Sequence, residues 1–377
     1  MTAPDESPDL RRRGELDVLA WPAFDGHPVD VLVTSRQGGV SAGPYESLNL
    51  GLHVGDSAGA VLENRRRTAA ALGAALGDLV FCNQSHGRNV HVVTAADRGR
   101  GTLSQDDAIA ATDALVTSEP GIGLVVMVAD CVPIVLYDPV ARVLSCVHAG
   151  WRGTVARVSQ AAVEAMAALG SEPRDIIAGI GPAISPERYQ VGRDVAGQAR
   201  QCFGPQRTDD VLRPDGAGRW LFDLWSANRI VLRDAGLRDG SIHLAAVPTG
   251  PAGQSPFFSD RAARPCGRFA AVARLCPLDR CPLGRHVVYY VVAEPGIAGT
   301  ERPDVGGLVV RHLRDPLRIA DLAAADCYQV EVAAVEAAHQ LVNAARPGLL
   351  RLFAVQPGHH VLVEPDTADR DDRSVGE

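Results

Sequence analysis

GIGLVVMVADCVPIVLYDPV, residues 121–140, is the longest apolar region of the chain, and its interruptions decide what it forms. A membrane-spanning helix needs about 20 consecutive apolar residues with few or no charges. Asp130, Pro133 and Asp138 break this run, so it predicts a pair of buried strands, Gly123–Val128 and Pro133–Asp138. Working outward, Leu79–Asn83 and Arg142–His148 are further short β-rich runs bounded by turn residues, as expected of a core sheet. Val31–Thr34 and Asp175–Ile180 read as two more strands, and His148 closes its own run just before the glycines at 150 and 153.

Helical patterns lie between these runs. DSAGAVLENRRRTAAAL, from Asp56 to Leu72, predicts a helix with Asp56 as N-cap, Val61 and Leu62 inward and Arg65–Arg67 on the solvent face. Ala156–Leu169 predicts an amphipathic helix stopped by Gly170, and Leu221–Ala235 another that opens near Asp223. Strands and helices alternate irregularly, which points to a layered α/β (mixed α+β) domain rather than a regular doubly wound one.

Length and charge set the outer limits. At 377 residues the chain is long enough for about two domains. Its 37 basic and 45 acidic side chains give a formal charge of -8, which lacks the basic footprint of a nucleic-acid binder. The first residues, MTAPDESPDLRRRGELD, hold no apolar segment, so neither a signal peptide nor a membrane anchor is expected and the expected location is the cytoplasm. Eight cysteines without small-scaffold spacing read as free thiols or ligands. Cys266, Cys276 and Cys281 in particular are expected to be unpaired, because their spacings fit no zinc ribbon. Composition divides the chain into a polar N-terminal tail at 1–19, a main domain at 20–275, a small α/β extension at 276–365 and a disordered acidic tail at 366–377. In the extension, His286–Ala293 predicts a strand and Ala323–Ala345 a helix.

Three segments share one form, a ligating side chain beside small or turn residues: NQSHG with His86, VADCVP with Cys131 and VHAGWRG with His148. Two imidazoles and a thiolate suit zinc, and three protein ligands leave the fourth tetrahedral position open, as in catalytic zinc sites. The intervals of 45 and 17 residues are too long for a zinc finger, so the fold itself has to join them. Arg36, in the glycine-rich SRQGGVSAG loop, and Arg261, after Phe257-Phe258-Ser259, are candidate oxyanion clamps, because a guanidinium grips oxyanions bidentately. Asp130, beside Cys131, is the candidate proton carrier, with bracing of the fold as its alternative. Asn49, in SLNLG, is either a substrate contact or a turn former.

SRQGGVSAGPYESLNLGLHVGD, NQSHG, TDALVTSEPG, ADCVPIVLYDP, HAGWRGT and IGPAISPERYQVG occur in this order. Together they resemble the motifs of the laccase-domain purine nucleoside phosphorylase family, once described as multicopper polyphenol oxidases, over roughly residues 20–275. The resemblance implies that His86, Cys131 and His148 hold zinc. It also implies a fold shared with a deamidating toxin, and purine nucleosides and phosphate as substrates. Adenosine, inosine or methylthioadenosine would be cleaved with phosphate, and adenosine deamination is the implied second activity. Copper is less expected than zinc, since 11 histidines with no His-x-His pair are too few ligands for several coppers. This chain departs from the family pattern at Ser85, beside a ligand, at Phe258-Ser-Asp260-Arg261-Ala-Ala, where an arginine is lost, and at Pro248–Ala252. Two other readings use the same residues: a metal-free hydrolase or deamidase with Cys131 as nucleophile and His148 as base, and a peptidoglycan-precursor quality-control protein with little nucleoside activity.

Overall fold

The computed structural model of the chain describes residues 9–276 and three short strands beyond them. It falls into two units, Met1–Pro282 and Leu283–Glu377. Two six-stranded mixed sheets form the body of the first unit. One contains β1 (Asp9–Arg13), β2 (Leu16–Ala20), β3 (Val29–Thr34), β4 (Leu79–Phe81), β7 (Gly123–Val128) and β15 (Phe269–Leu275) in the spatial order β1-β2-β3-β15-β7-β4. The other contains β5 (Val90–Val92), β6 (Ala114–Thr117), β8 (Val132–Asp138), β9 (Val143–Ala149), β10 (Ile177–Ile180) and β14 (Ile242–Leu244) in the order β14-β10-β8-β9-β6-β5. A small third sheet joins β11 (Gln190–Val191), β12 (Leu212–Pro214) and β13 (Trp220–Phe222).

The period of two along each strand explains the layering. In β7, Leu124, Val126 and Val128 face the second sheet and share a core with Leu115, Val135, Tyr137, Leu144 and Cys146. Val125 and Met127 face the other way, into a core with Leu16, Val18, Leu32 and Ala69 of α1 (Ala58–Ala71). In β8 and β9 the alternate residues Ile134, Leu136, Val143 and Val147 pack under α2 (Trp151–Val155), α3 (Val158–Ala168), α4 (Arg193–Phe203), α5 (Thr208–Val211) and α6 (Leu224–Asp234). The order is therefore helix, sheet, sheet, helices. A strand sandwiched on both faces has no solvent side, which is why β7, β8 and β9 read as near-continuous apolar runs. Burial of each Val or Leu side chain contributes about 1.5–3 kcal/mol.

Within the first unit the strand and helix expectations hold within a few residues, and α6 does open at Asp223, whose carboxylate accepts from Ser226 N at 3.0 Å. Three expectations for the first unit need correcting. The stretch expected as a polar tail carries β1 and β2, and β1 is a solvent-facing edge strand with no apolar pattern to betray it. Arg65 does not lie on the solvent face of α1. It has no solvent exposure, and its guanidinium donates to the carbonyls of Leu50, Gly101 and Thr102. Helix α1 is capped by Ser57 rather than Asp56, whose Oδ1 accepts from Ser57 N.

In the second unit a three-stranded antiparallel sheet has β16 (Tyr289–Ala293) between β17 (Leu308–His312) and β18 (Cys327–Gln329). β16 falls on the strand expected at 286–293, whereas β18 stands where a helix was expected, because Tyr290–Val292 pair with it. Cys281, the remainder of that expected helix and the acidic 366–377 segment lie outside the described residues. No helix among the described residues is long and apolar enough to cross a membrane.

Candidate metal centre

The link from β7 to β8 carries the chain from the first sheet to the second in the three residues Ala129, Asp130 and Cys131. Asp130 makes the turn with φ of 88°, in the left-handed region. Cys131 is thereby set at the seam between sheets. His148, the penultimate residue of β9, lies opposite Pro133 across the β8–β9 ladder, and Pro133 is two residues from Cys131. His86 comes from the loop after β4, which Gln84 pins to the end of β7: its side-chain amide bonds both Met127 N at 2.8 Å and Met127 O at 2.7 Å. These three positions converge, and the ligand atoms of His86, Cys131 and His148 lie within 4.8 Å of one another. Zinc bonds nitrogen and sulfur at about 2.0–2.3 Å, so ligand atoms this close to one another could share a single ion.

Electrostatics favour the liganding thiolate of Cys131. Burial alone would raise the Cys131 thiol, but the His148 charge and hydrogen bonds from His148 and His86 outweigh it and pull the thiol down, towards thiolate. His148 is pushed up, since Cys131 and Asp113 overcome the effect of burial. Asp113, which the sequence reading passed over, is fully buried and accepts from His148 Nδ1 at 2.8 Å. Burial would raise its carboxyl, and the bonds from His148, Gly87 and Ser85 bring it down instead, so it stays ionised.

Arg261 and Asp130 are joined. Asp130 Oδ2 accepts from Arg261 N at 2.7 Å, and Oδ1 accepts the Thr249 hydroxyl at 2.5 Å, so the loop through residues 249–261 is tied beside Cys131. The Arg261 guanidinium stands 5.2 Å from the Tyr189 ring centroid and donates to Gln190 O at 3.3 Å. Tyr189 is a second residue missed from sequence, and burial with the Cys131 charge raises its phenol. Arg36 is nearly buried. Its Nε and Nη2 both donate to Glu46 O, and it stacks 4.5 Å over Phe258, three residues before Arg261. Asn49 is fully buried, and its amide is engaged by Gly51, Asp56 and Arg268, which makes it a brace between the 47–56 loop and β15. Asp260, expected as a departure from the family pattern, is paired with Arg264 at 2.6 Å and Arg268 at 3.2 Å.

Gly150 closes the centre from below. A Cβ there would lie 2.8 Å from Cys131 Sγ and 3.0 Å from His86 Cδ2. Its φ of -72° is open to any residue, so the constraint is steric alone. Gly150→Ala is expected to keep the fold and weaken metal binding by at least about tenfold, the lower end of what displaced supporting contacts cost. Titration with zinc against a chelating dye checks it.

Two packed sheets with a His-Cys-His group at their seam mark a layered α/β domain able to hold one metal ion. Among families, the chain belongs to the one described as multi-copper polyphenol oxidoreductase laccase, which it matches over residues 30–276. A Bacillus subtilis relative, purine nucleoside phosphorylase YlmD, is 38% identical over 229 residues, covering 60% of this chain and 81% of that protein. A Deinococcus radiodurans purine nucleoside phosphorylase is 45% identical over 207 residues, covering 55% of this chain and 75% of the relative. The crystal structure of YlmD from Geobacillus stearothermophilus superposes with a TM-score of 0.67 at 35% identity, covering 73% of this chain and 100% of that one. The family resemblance read from six motifs and the layered α/β expectation therefore stand.

Proposed function

We propose that the chain is a zinc-dependent purine nucleoside phosphorylase, cleaving adenosine, inosine or methylthioadenosine with phosphate, with adenosine deamination as a second activity. The observation that carries this is the His86–Cys131–His148 group in a domain whose relatives are named purine nucleoside phosphorylases. Two imidazoles and one thiolate suit zinc better than the several coppers of the family description. Zinc held by His86, Cys131 and His148 would supply a Lewis acid.

The protein's own groups supply the rest. Arg261, steadied by Tyr189 and by its backbone bond to Asp130, presents a cation for phosphate or ribose oxygens. Arg36 adds a second cation across Phe258. Asp130 holds the Thr249 and Arg261 bonds and keeps a further lone pair on each oxygen with which to take or return a proton. Purified protein incubated with adenosine, with and without phosphate, tests the reading. Adenine with ribose 1-phosphate is the expected product pair, and inosine reports the deaminase. Neither product at any zinc level overturns it.

A second reading is favoured by one specific arrangement: Cys131, His148 and Asp113 form a nucleophile, base and orienting carboxylate in sequence of contact. A metal-free hydrolase or deamidase would use that triad and has no use for His86.

A further inference from the structure

Asp113 immediately precedes β6 and has no solvent exposure, and an isolated buried carboxylate is costly unless donors surround it. Its Oδ1 accepts His148 Nδ1 at 2.8 Å and His86 N at 2.9 Å. Its Oδ2 accepts Gly87 N at 2.7 Å, the Ser85 hydroxyl at 2.9 Å and Ser85 N at 3.3 Å. Even its backbone carbonyl takes His148 N at 2.8 Å.

We propose that Asp113 is the positioning residue of the centre, a single carboxylate that fixes two of the three ligands, His148 through its ring and His86 through its backbone. The inference rests on the metal reading above in treating these side chains as ligands. Holding the His148 proton at Nδ1 leaves Nε2 as the lone pair for an ion. His86 has φ of 59°, a conformation that a non-glycine residue keeps only where its surroundings hold it. The holding group is the same carboxylate, on which the loop lies closely enough that a Cβ at Gly87 would sit 3.5 Å from Asp113 Oδ2 and 3.3 Å from Ser85 Oγ. The Ser85 hydroxyl gives that carboxylate a further side-chain donor.

The test uses the full chain and its Asp113→Asn variant. Zinc affinity is read by competition with a chromophoric chelator, ligand geometry by the visible absorption of the cobalt-substituted protein, and loop order by hydrogen exchange at the His86 and Gly87 amides. The expected result is zinc affinity lower by about 10–100-fold, the usual cost of losing a ligand's supporting partner, with shifted cobalt bands and faster exchange at both amides in a protein that still melts cooperatively. A purely structural carboxylate would lower the melting temperature and leave affinity and cobalt spectrum unchanged, and that outcome overturns the proposal. If Asp113→Asn does not fold, Ser85→Val decides: a smaller loss of zinc affinity supports the role, and unchanged affinity overturns it. Wild-type protein that binds no zinc removes the metal reading instead, and amide exchange in the variant then decides the case for Asp113.

Discussion

Replacing His86 by Ala is expected to abolish stoichiometric zinc binding and to lower nucleoside turnover by about a thousandfold. A Lewis acid contributes several kcal/mol to transition-state stabilisation, and each 1.36 kcal/mol is tenfold in rate. His86 is exposed, whereas His148 and Cys131 are inset at the sheet seam, so truncating it opens no buried cavity and the fold should survive. The loss is then chemical rather than structural. Metal content of the purified variant, its melting temperature and its steady-state rates check this together. Unchanged turnover in a zinc-free His86→Ala protein would instead establish the metal-free triad of Cys131, His148 and Asp113, since the bond between His148 Nδ1 and Asp113 does not involve His86's ring.

Arg65→Met is expected to destabilise the main domain by about 3–5 kcal/mol, lowering its melting temperature by roughly 10 °C. Arg65 is wholly enclosed, and burial lowers its pKa to about 10, which leaves it charged at neutral pH. Nε donates to Leu50 O and Nη1 to Gly101 O and Thr102 O, and the guanidinium lies 4.0 Å from the centroid of Phe81. Methionine matches much of the volume and removes the cost of burying a charge. Three buried carbonyls nevertheless lose their donor, at about 1–3 kcal/mol each when left unpaired, and that deficit outweighs the relief. Thermal or chemical denaturation measures it. A variant as stable as wild type would mean that water replaces the guanidinium at all three carbonyls.

The contrast between these residues shows what the sequence makes legible. Strands β7, β8 and β9 were readable because burial on both faces leaves an apolar run, and the His148 and Cys131 positions followed from where those runs end. Arg65 was misplaced because a run of three arginines looks like a solvated face. The helical period held the contrary signal, with Val61, Asn64, Arg65 and Thr68 all buried on one side of α1. Asp113 could not be told from an ordinary turn acid, as its donors Ser85, His86, Gly87 and His148 stand 26 to 35 residues away. β1 escaped notice for a third reason: an edge strand in solvent needs no apolar alternation, and DLRRR has none. Local pattern thus reveals elements that bury surface, whereas polar groups recruited across the fold are revealed by tertiary geometry.

The two sheets are joined covalently at their seam by the short Ala129–Cys131 link, with His86 hanging from one sheet and His148 ending a strand of the other. An ion shared by the three would rivet the halves of the domain together, and a ligand present at 100 times its dissociation constant adds about 2.7 kcal/mol to stability. Copies that never acquire metal would then be the ones that open most readily and reach the cell's proteases first. Cofactor supply would in this way set not merely how fast each molecule works but how many molecules persist.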